Sequence, residues 1–461
     1  MSRPSILLPT LLALVTLVSA PRSAAGTLPL DQPPEDFRSV INRAKERVFP
    51  SVVYIRAVLE NHELGKRTCH TVSGSGFIIS ADGEIVTNWH VVNQALEIRC
   101  LLNDGRSFEA ALVGTDQDTD LALLRPREAQ ATPLPFAAFG DSEALQEGDF
   151  VMAMGAPWGL NRSISFGIVA CARRYLPGAS EYSTWIQTDA SISPGNSGGP
   201  LVDTAGRVIG VNARAGMQGG DMGFAIPAAA AQLVLDRLRK GGAAGWSWSG
   251  LQLQPLCDFQ RNTFFAGASG VIVAGADDGS PARDAGFRPQ DRLVRLGSEP
   301  VCARMEEDLP EVRRQLALLP AGVDVPVVVQ RGDTELTLRI TPRTKGHVRG
   351  EELECPRWDF TVKAINQFEA PELHFIRATG VYVQGVRSPG NASNSGLQPR
   401  DILLSVNGSP VQNLEDVRRV HEDSLAALQQ GASRRMVLGV LRSGRTLQLV
   451  VDLTRDFSQA R

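Results

Sequence analysis

Thr188-Asp189-Ala190-Ser191-Ile192-Ser193-Pro194-Gly195-Asn196-Ser197-Gly198-Gly199-Pro200 sets a serine among glycines, with apolar, strand-like runs on both sides. Gly195 permits the tight turn that aims the amides of Gly195 and Ser197 at one point. Two convergent amides are what a tetrahedral oxyanion requires. Ser197 therefore reads as a nucleophile, with Gly195, Asn196 and Ser197 as its oxyanion segment. Gly198 and Gly199 keep the approach to the hydroxyl open. A plain Gly-Ser loop has the same composition, so a base and a carboxylate elsewhere in the chain must decide between the two readings.

Both are present upstream. Thr87-Asn88-Trp89-His90-Val91-Val92 places His90 at the end of an apolar strand, and Asp118-Thr119-Asp120-Leu121-Ala122-Leu123-Leu124 places Asp120 at the mouth of another. Taken singly, each also suits a packed core histidine or a turn aspartate. Taken together, His90 can accept the Ser197 proton, and Asp120 can fix the tautomer of His90 and stabilise its imidazolium. The chain order His, Asp, Ser is that of the chymotrypsin-like double β-barrel. Many short strands at regular spacing, from residue 51 to residue 226, predict the same mainly β architecture.

A chain of 461 residues has room for about three domains. Its net charge of −3 provides no basic field, which argues against nucleic acid or an anionic membrane surface as partner. Arg3, the apolar run 6–18 and the small residues Ser23-Ala24-Ala25 read as a secretory signal over residues 1–25, with an uncleaved anchor as the alternative. No later stretch is long and apolar enough to span a membrane. The expected location is the periplasm or the extracellular medium. Export puts Cys69, Cys100, Cys171, Cys257, Cys302 and Cys355 in an oxidising compartment. Six cysteines allow 15 full pairings. Cys69 with Cys100 and Cys257 with Cys302 would each stay within one expected domain. Neither cysteine nor histidine spacing suggests a metal site, and no cofactor is expected.

The apolar spacing at 36–48 predicts a helix ended by Pro50. The segment 228–240 is Ala- and Leu-rich, gathers Lys and Arg at its end and stops at Gly241-Gly242, which predicts a second helix and a domain boundary. An internal repeat follows. One copy carries Gly270-Val271-Ile272-Val273, Ser280-Pro281-Ala282 and Pro289-Gln290-Asp291-Arg292-Leu293. The other carries Gly380-Val381-Tyr382-Val383, Ser388-Pro389-Gly390 and Pro399-Arg400-Asp401-Ile402-Leu403. Each copy has a later helix-like segment, at 306–318 and 414–429. Repeated small units of this size are usually binding modules.

The motifs around His90, Asp120 and Ser197, with Gly74-Ser75-Gly76-Phe77 and Gly223-Phe224-Ala225-Ile226-Pro227, closely resemble the HtrA (Deg) family of serine proteases, and the repeats resemble PDZ domains. After the signal at 1–25, the resemblance implies a trypsin-like domain at 36–240 and α+β PDZ domains at 246–345 and 352–458. It implies ATP-independent cleavage of unfolded polypeptides, chaperone activity and assembly as a homotrimer or larger oligomer. His90 would be the base, Asp120 its orienter and Ser197 the nucleophile. Ala190, Ile192, Val211, Asn212 and Ala213 are expected to line a primary pocket for small aliphatic residues, with Asp189 structural. PDZ domains bind C-terminal peptides by adding a strand to a sheet edge, and Trp248-Ser249-Gly250-Leu251 is the expected carboxylate loop of the first. The second has no clear equivalent: Trp358-Asp359-Phe360-Thr361 reads as a first strand, and assembly is its expected role.

The sequence departs from the family pattern at Trp89, at Ser193, and at Gln290 and Arg400, which replace the glycine of the Pro-Gly-Asp turn and strain it if φ is positive. The polar stretch 61–71 reads as a loop, short for a cage-forming member. Asn196 is neutral and cannot form the ion pair that activates trypsin-like zymogens. Activity is therefore expected to be switched by ordering of loops 172–182, 189–195 and 213–221. The alternative functions are a site-specific regulatory protease activated by peptide binding to its PDZ domain, and a non-cleaving chaperone or scaffold.

Overall fold

The structure, a computed structural model, describes residues 36–130, 132–157, 162–215, 222–260, 269–431 and 434–457. The expected signal segment lies outside the described residues, as does 216–221 of the third expected switch loop. Among the described residues no helix is long and apolar enough to cross a membrane.

Helix α1 (Phe37–Val48) is capped by the Asp36 carboxylate, which accepts from the Arg38 amide. Six strands then close into a barrel: β1 (Val52–Asn61), β2 (Thr68–Ile78), β3 (Ile85–Thr87), β4 (Ala95–Leu101), β5 (Ser107–Asp116) and β6 (Leu121–Pro126). The one-turn helix α2 (Trp89–Val92) follows β3. A second barrel closes from β7 (Phe150–Gly155), β8 (Ser163–Arg174), β9 (Trp185–Thr188), β10 (Pro200–Asp203), β11 (Val208–Ala215) and β12 (Gly223–Pro227). Helix α3 (Ala228–Gly241) ends at Gly242, whose φ of 72° suits a residue without a Cβ. Its apolar face, with Val234, Leu235 and Leu238, joins a core shared with Phe77, Met152, Met154 and Val211 of the two barrels. Arg239 of α3 and Arg125 of β6 both grip the buried Glu84, tying helix to barrel.

The polar stretch 61–71 is only partly loop. Asn61 pairs with Thr68, and strand pairing continues through Cys69, His70 and Thr71, whose exposed side chains made the stretch read as a loop. Cys69 and Cys100, which share this barrel, are not bridged: Cys69 is exposed on β2, while Cys100 faces the barrel interior, where burial pushes its thiol up to about 12. Cys302 is likewise a free thiol, so Cys257 is not bridged to it.

The two repeats share one plan. The first contains β13 (Ser247–Trp248), β14 (Leu251–Gln254), α4 (Cys257–Gln260), β15 (Val271–Ala276), α5 (Pro281–Asp284), β16 (Arg292–Leu296), β17 (Glu299–Pro300), α6 (Leu309–Ala317), β18 (Val325–Arg331), β19 (Thr334–Ile340) and β20 (Arg343–Thr344). Its main sheet has the order β14-β15-β16-β18-β19. The second contains β21 (Glu352–Cys355), β22 (Phe360–Ala364), α7 (Pro371–Ile376), β23 (Val381–Val386), α8 (Asn391–Asn394), β24 (Ile402–Val406), β25 (Ser409–Pro410), α9 (Leu414–Gln429), β26 (Arg435–Arg442) and β27 (Arg445–Asp452), in the order β21-β22-β23-β24-β26-β27. The first strand of the second repeat is therefore 352–355. Trp358 and Asp359, expected within a strand, form the turn before β22, where positive φ at Arg357 and Asp359 breaks the extended chain.

Candidate active site

His90 and Asp120 meet just after β3, and the loop of Ser197 packs at Gly198 against the Thr87-Asn88 segment that precedes them. The Nδ1 of His90 lies 2.8 and 3.0 Å from the two carboxylate oxygens of Asp120. That nitrogen must carry the proton, which leaves the lone pair on Nε2. Asp120 is buried while the His90 ring is partly exposed. The carboxylate also accepts from the His90 amide at 3.0 Å. The Asp120 carbonyl accepts from the Trp89 amide and from Asn88 Nδ2. These bonds hold Asp120 at a φ of 55°, a conformation a residue with a Cβ occupies only when its surroundings enforce it.

The serine loop is shaped from beneath by Ser75. Its amide donates to the Ser197 carbonyl at 2.8 Å, its hydroxyl donates to the Gly195 carbonyl at 2.6 Å, and the same oxygen accepts from the Ala156 amide. In the sequence Ser75 is marked only by standing between two glycines on a strand. Gly195 has a φ of 104°, and a Cβ on Gly198 would lie 2.2 Å from the Ser75 carbonyl oxygen. Of the expected oxyanion segment, Asn196 donates its amide to Ser193, and its side chain accepts from Ser163. Asn196 is thus spent on the turn, leaving the amides of Gly195 and Ser197 for an oxyanion. The Ser197 hydroxyl donates to the Ala213 carbonyl at 3.3 Å rather than to His90.

A cavity of about 720 Å³ opens beside His90, lined by Trp89, Asp118, Asp120, Trp185 and Ala213, and by Lys345, Val348 and Phe368 from beyond the barrels. Of the five expected pocket residues, Ala213 lines this cavity. Val211 points into the core between the barrels. Asn212 is buried and donates to the carbonyls of Met154 and Pro200. Ala190 and Ile192 pack with Val169 and Ile186 inside the second barrel. Ala190 and Ile192 follow the end of β9, and Val211 and Asn212 are neighbours on β11 with both faces of the strand covered, which adjacency to Ser197 in sequence does not reveal. Asp189 accepts from the Ile168 amide at 2.7 Å, a backbone-fixing role.

Residues 74–211 match the family model of a trypsin-like peptidase domain, and residues 249–341 that of a PDZ domain. A probable periplasmic serine endoprotease, DegP-like, of Chlamydia trachomatis is 34% identical over 77% of this chain and 70% of that protein. The chain belongs to the HtrA/DegP-like family of serine proteases. It is a serine endopeptidase. A DegP-like relative from Marinomonas is 34% identical over 76% of this chain and 74% of that protein. The HtrA-type protease AlgW, solved with a tripeptide, superposes with a TM-score of 0.58 at 31% identity, covering 66% of this chain and 97% of that one.

In this HtrA-type protease the PDZ domain is joined to the peptidase at two places. At the turn before Asp120, Trp246 Nε1 donates to Asp116 at 2.9 Å, and Lys345 Nζ pairs with Asp118 at 2.8 Å and donates to the Tyr182 hydroxyl at 3.0 Å. Burial pushes the Asp116 carboxyl up to about 6 against the hydrogen bonds from Thr119 and Trp246. At loop 172–182, Arg313 of α6 reaches the Ser180 carbonyl and lies 3.9 Å from Glu181. The expected carboxylate-loop residues Trp248, Ser249, Gly250 and Leu251 line a cleft of about 210 Å³ with Arg313 and Leu316 of α6. Phe368 of the second repeat stands at its mouth, edge-on to Trp248.

Proposed function

We propose that this chain is an exported, ATP-independent endoprotease that degrades unfolded polypeptides, with His90, Asp120 and Ser197 as its catalytic triad. The observation that carries the reading is the bidentate approach of Asp120 to His90 Nδ1, which leaves Nε2 to act as base, with the serine loop packed at Gly198 against Thr87 and Asn88 just before His90. Ser197 Oγ attacks the scissile carbonyl carbon and passes its proton to His90 Nε2. Asp120 stabilises the imidazolium, and the amides of Gly195 and Ser197 receive the oxyanion. His90 then protonates the leaving amine, and water repeats the sequence on the acyl-enzyme. Attack first requires the Ser197 hydroxyl to turn from Ala213 to His90. That requirement supports the reading of a resting site switched by loops 172–182, 189–195 and 213–221, with C-terminal peptides bound at Trp248-Ser249-Gly250-Leu251 as the input.

The same reading divides the chain into a signal at 1–25, a peptidase at 36–240 and PDZ domains at 246–345 and 352–458. The common strand order of the two repeats supports the second PDZ assignment. The relatives are named periplasmic, which supports that location here. An exposed aromatic cluster of Phe37, Phe150 and Phe166, with ring centroids 4.7–5.5 Å apart, supports assembly into a homotrimer.

Casein digestion by the wild type and by Ser197→Ala tests the proposal. Wild type should cleave unfolded casein without ATP, and the variant should lose roughly 10⁴-fold or more of that rate. Comparable cleavage by both would sink the assignment of Ser197.

A further inference from the structure

The second repeat carries a strand where a PDZ domain takes its peptide. In the first repeat that place is open among the described residues: β14 pairs there with β15 alone and faces α6 across the cleft. In the second repeat β22 pairs with β23 on one side and with β21 on the other. Strand β21 runs antiparallel to β22, with Glu352 opposite Lys363 and Cys355 opposite Phe360, and it packs against α9. Antiparallel addition at this edge, beside the long helix, is how an extended peptide is recognised.

The loops before the two edges are structural equivalents. Gly250 has a φ of 74°, and its carbonyl accepts from the Asp277 amide at 2.9 Å. Asp359 has a φ of 62°, and its carbonyl accepts from the Arg387 amide at 2.9 Å. Arg357-Trp358-Asp359-Phe360 thus stands where Trp248-Ser249-Gly250-Leu251 stands in the first repeat. Its polar groups are already engaged. The Asp359 amide donates to the Cys355 carbonyl at 3.1 Å, and the Arg357 guanidinium is held by the carbonyls of Leu453 and Thr454 and by Asp456. Both ends of β21 are fastened. His421 of α9 reaches the Pro356 carbonyl at 2.8 Å, and Cys355 is fully buried in the core with Leu414 and Val417 of α9. At the other end the buried Glu352 meets Lys363 at 3.0 Å, Arg349 at 2.6 Å and, from the β1–β2 hairpin of the peptidase, His62 at 2.8 Å.

We infer that Glu352–Cys355 is an intramolecular ligand that fills the peptide groove of the second repeat, with Cys355 in the position of a bound terminal residue. The chain then has one working peptide site, at the first repeat. This rests on reading the second repeat as a PDZ domain. Hydrogen exchange on the full-length Ser197→Ala chain tests it, with a synthetic decapeptide ending in a free Val carboxylate and an amidated copy as probes. Amides of 360–364 should be protected equally with and without peptide. The free-acid peptide should add protection at 251–254 and bind at one equivalent per chain. Peptide-dependent protection at 360–364 would overturn the filled groove while keeping the PDZ reading. Rapid exchange at both 353–355 and 360–364 without peptide would overturn the strand pairing and that reading together. Absence of any protection at 251–254 with millimolar peptide would overturn the assignment of the first repeat as the working site.

Discussion

The two repeats are built from the same parts and put to different uses. Each has a buried aspartate beside a left-handed turn residue, held by an arginine at the end of the neighbouring strand: Asp291 with Arg331 at 2.7 Å, and Asp401 with Arg442 at 2.6 Å. Each arginine also reaches a carbonyl of the preceding turn, at Gly286 or Gly396. Around this common frame the first repeat keeps an open edge and touches the peptidase at the turn before Asp120 and at loop 172–182. The second closes its edge with its own chain and holds the peptidase at the tip of the β1–β2 hairpin, where the Thr361 hydroxyl donates to the His62 carbonyl. An unfilled groove lies next to the elements that shape the candidate site; a filled one lies next to a structural hairpin. The frame is what a repeat in sequence reports, and the use depends on what occupies one strand edge.

The tryptophans of the two equivalent loops should separate these uses most sharply. Trp358 is fully buried, stacked on Phe360, edge-on to His421 and hydrogen-bonded to Ser424. Trp358→Ala should lower stability by about 3–5 kcal/mol. Trp248 is half-buried at the mouth of an open cleft. Trp248→Ala should change stability by about 1 kcal/mol or less and weaken binding of a free-acid peptide several-fold. Urea unfolding and peptide anisotropy on the same preparations check both. Equal stability losses would remove the distinction between a filled and an open groove.

The joint of the first repeat should also respond to pH in a way the second does not. Asp116 is buried against Trp246 and Thr119, with Asp118 and Lys345 nearby, and takes its proton at about 6. In the unfolded chain it does so near 3.9. The folded state holds the extra proton between those values, so this group's contribution is complete below about 4 and is lost as pH rises through about 6. The loss is on the order of 3 kcal/mol. Asp116→Asn keeps an oxygen to accept from Trp246 and cannot ionise. Stability of the variant relative to wild type should therefore rise between pH 4.5 and pH 7. A constant difference across that range, measured by urea unfolding, would show that Asp116 is not held protonated by its burial.

Legibility in the sequence followed the same division. His90, Asp120 and Ser197 could be read because each motif couples a reactive side chain to a strand end, and strand ends of a double barrel meet at one place. The double barrel itself followed from strand spacing. The surroundings of Ser197 were less legible: Val211 packs into the core between the barrels, and Asn212 on the other face of β11 spends its side chain on the Met154 and Pro200 carbonyls. Ser75 was hidden because it acts through hydrogen bonds to main-chain groups of Ala156, Gly195 and Ser197, the nearest of them 81 positions away. The filled groove was hidden because Glu352–Cys355 and Phe360–Ala364 look like any hairpin until the free edge of the matching strand in the first repeat is seen beside them.

The smallest difference between the repeats concerns the turn residues Gln290 and Arg400. The sequence departs from glycine at both, and the positive φ that would make this costly is present, at 73° and 72°. A Cβ in that region costs about 1–2 kcal/mol, while glycine costs roughly 0.5–1 kcal/mol in unfolded-chain entropy. Gln290→Gly should therefore stabilise by up to about 1 kcal/mol, read as a rise in the thermal midpoint. Arg400 has a further partner, since its guanidinium pairs with the exposed Glu372 of α7. Surface pairs of this kind contribute about 0–1 kcal/mol, so Arg400→Gly should gain less than Gln290→Gly, or nothing. If Arg400→Gly gained more, the Arg400–Glu372 pair would contribute nothing, and backbone strain alone would set the cost of both turns.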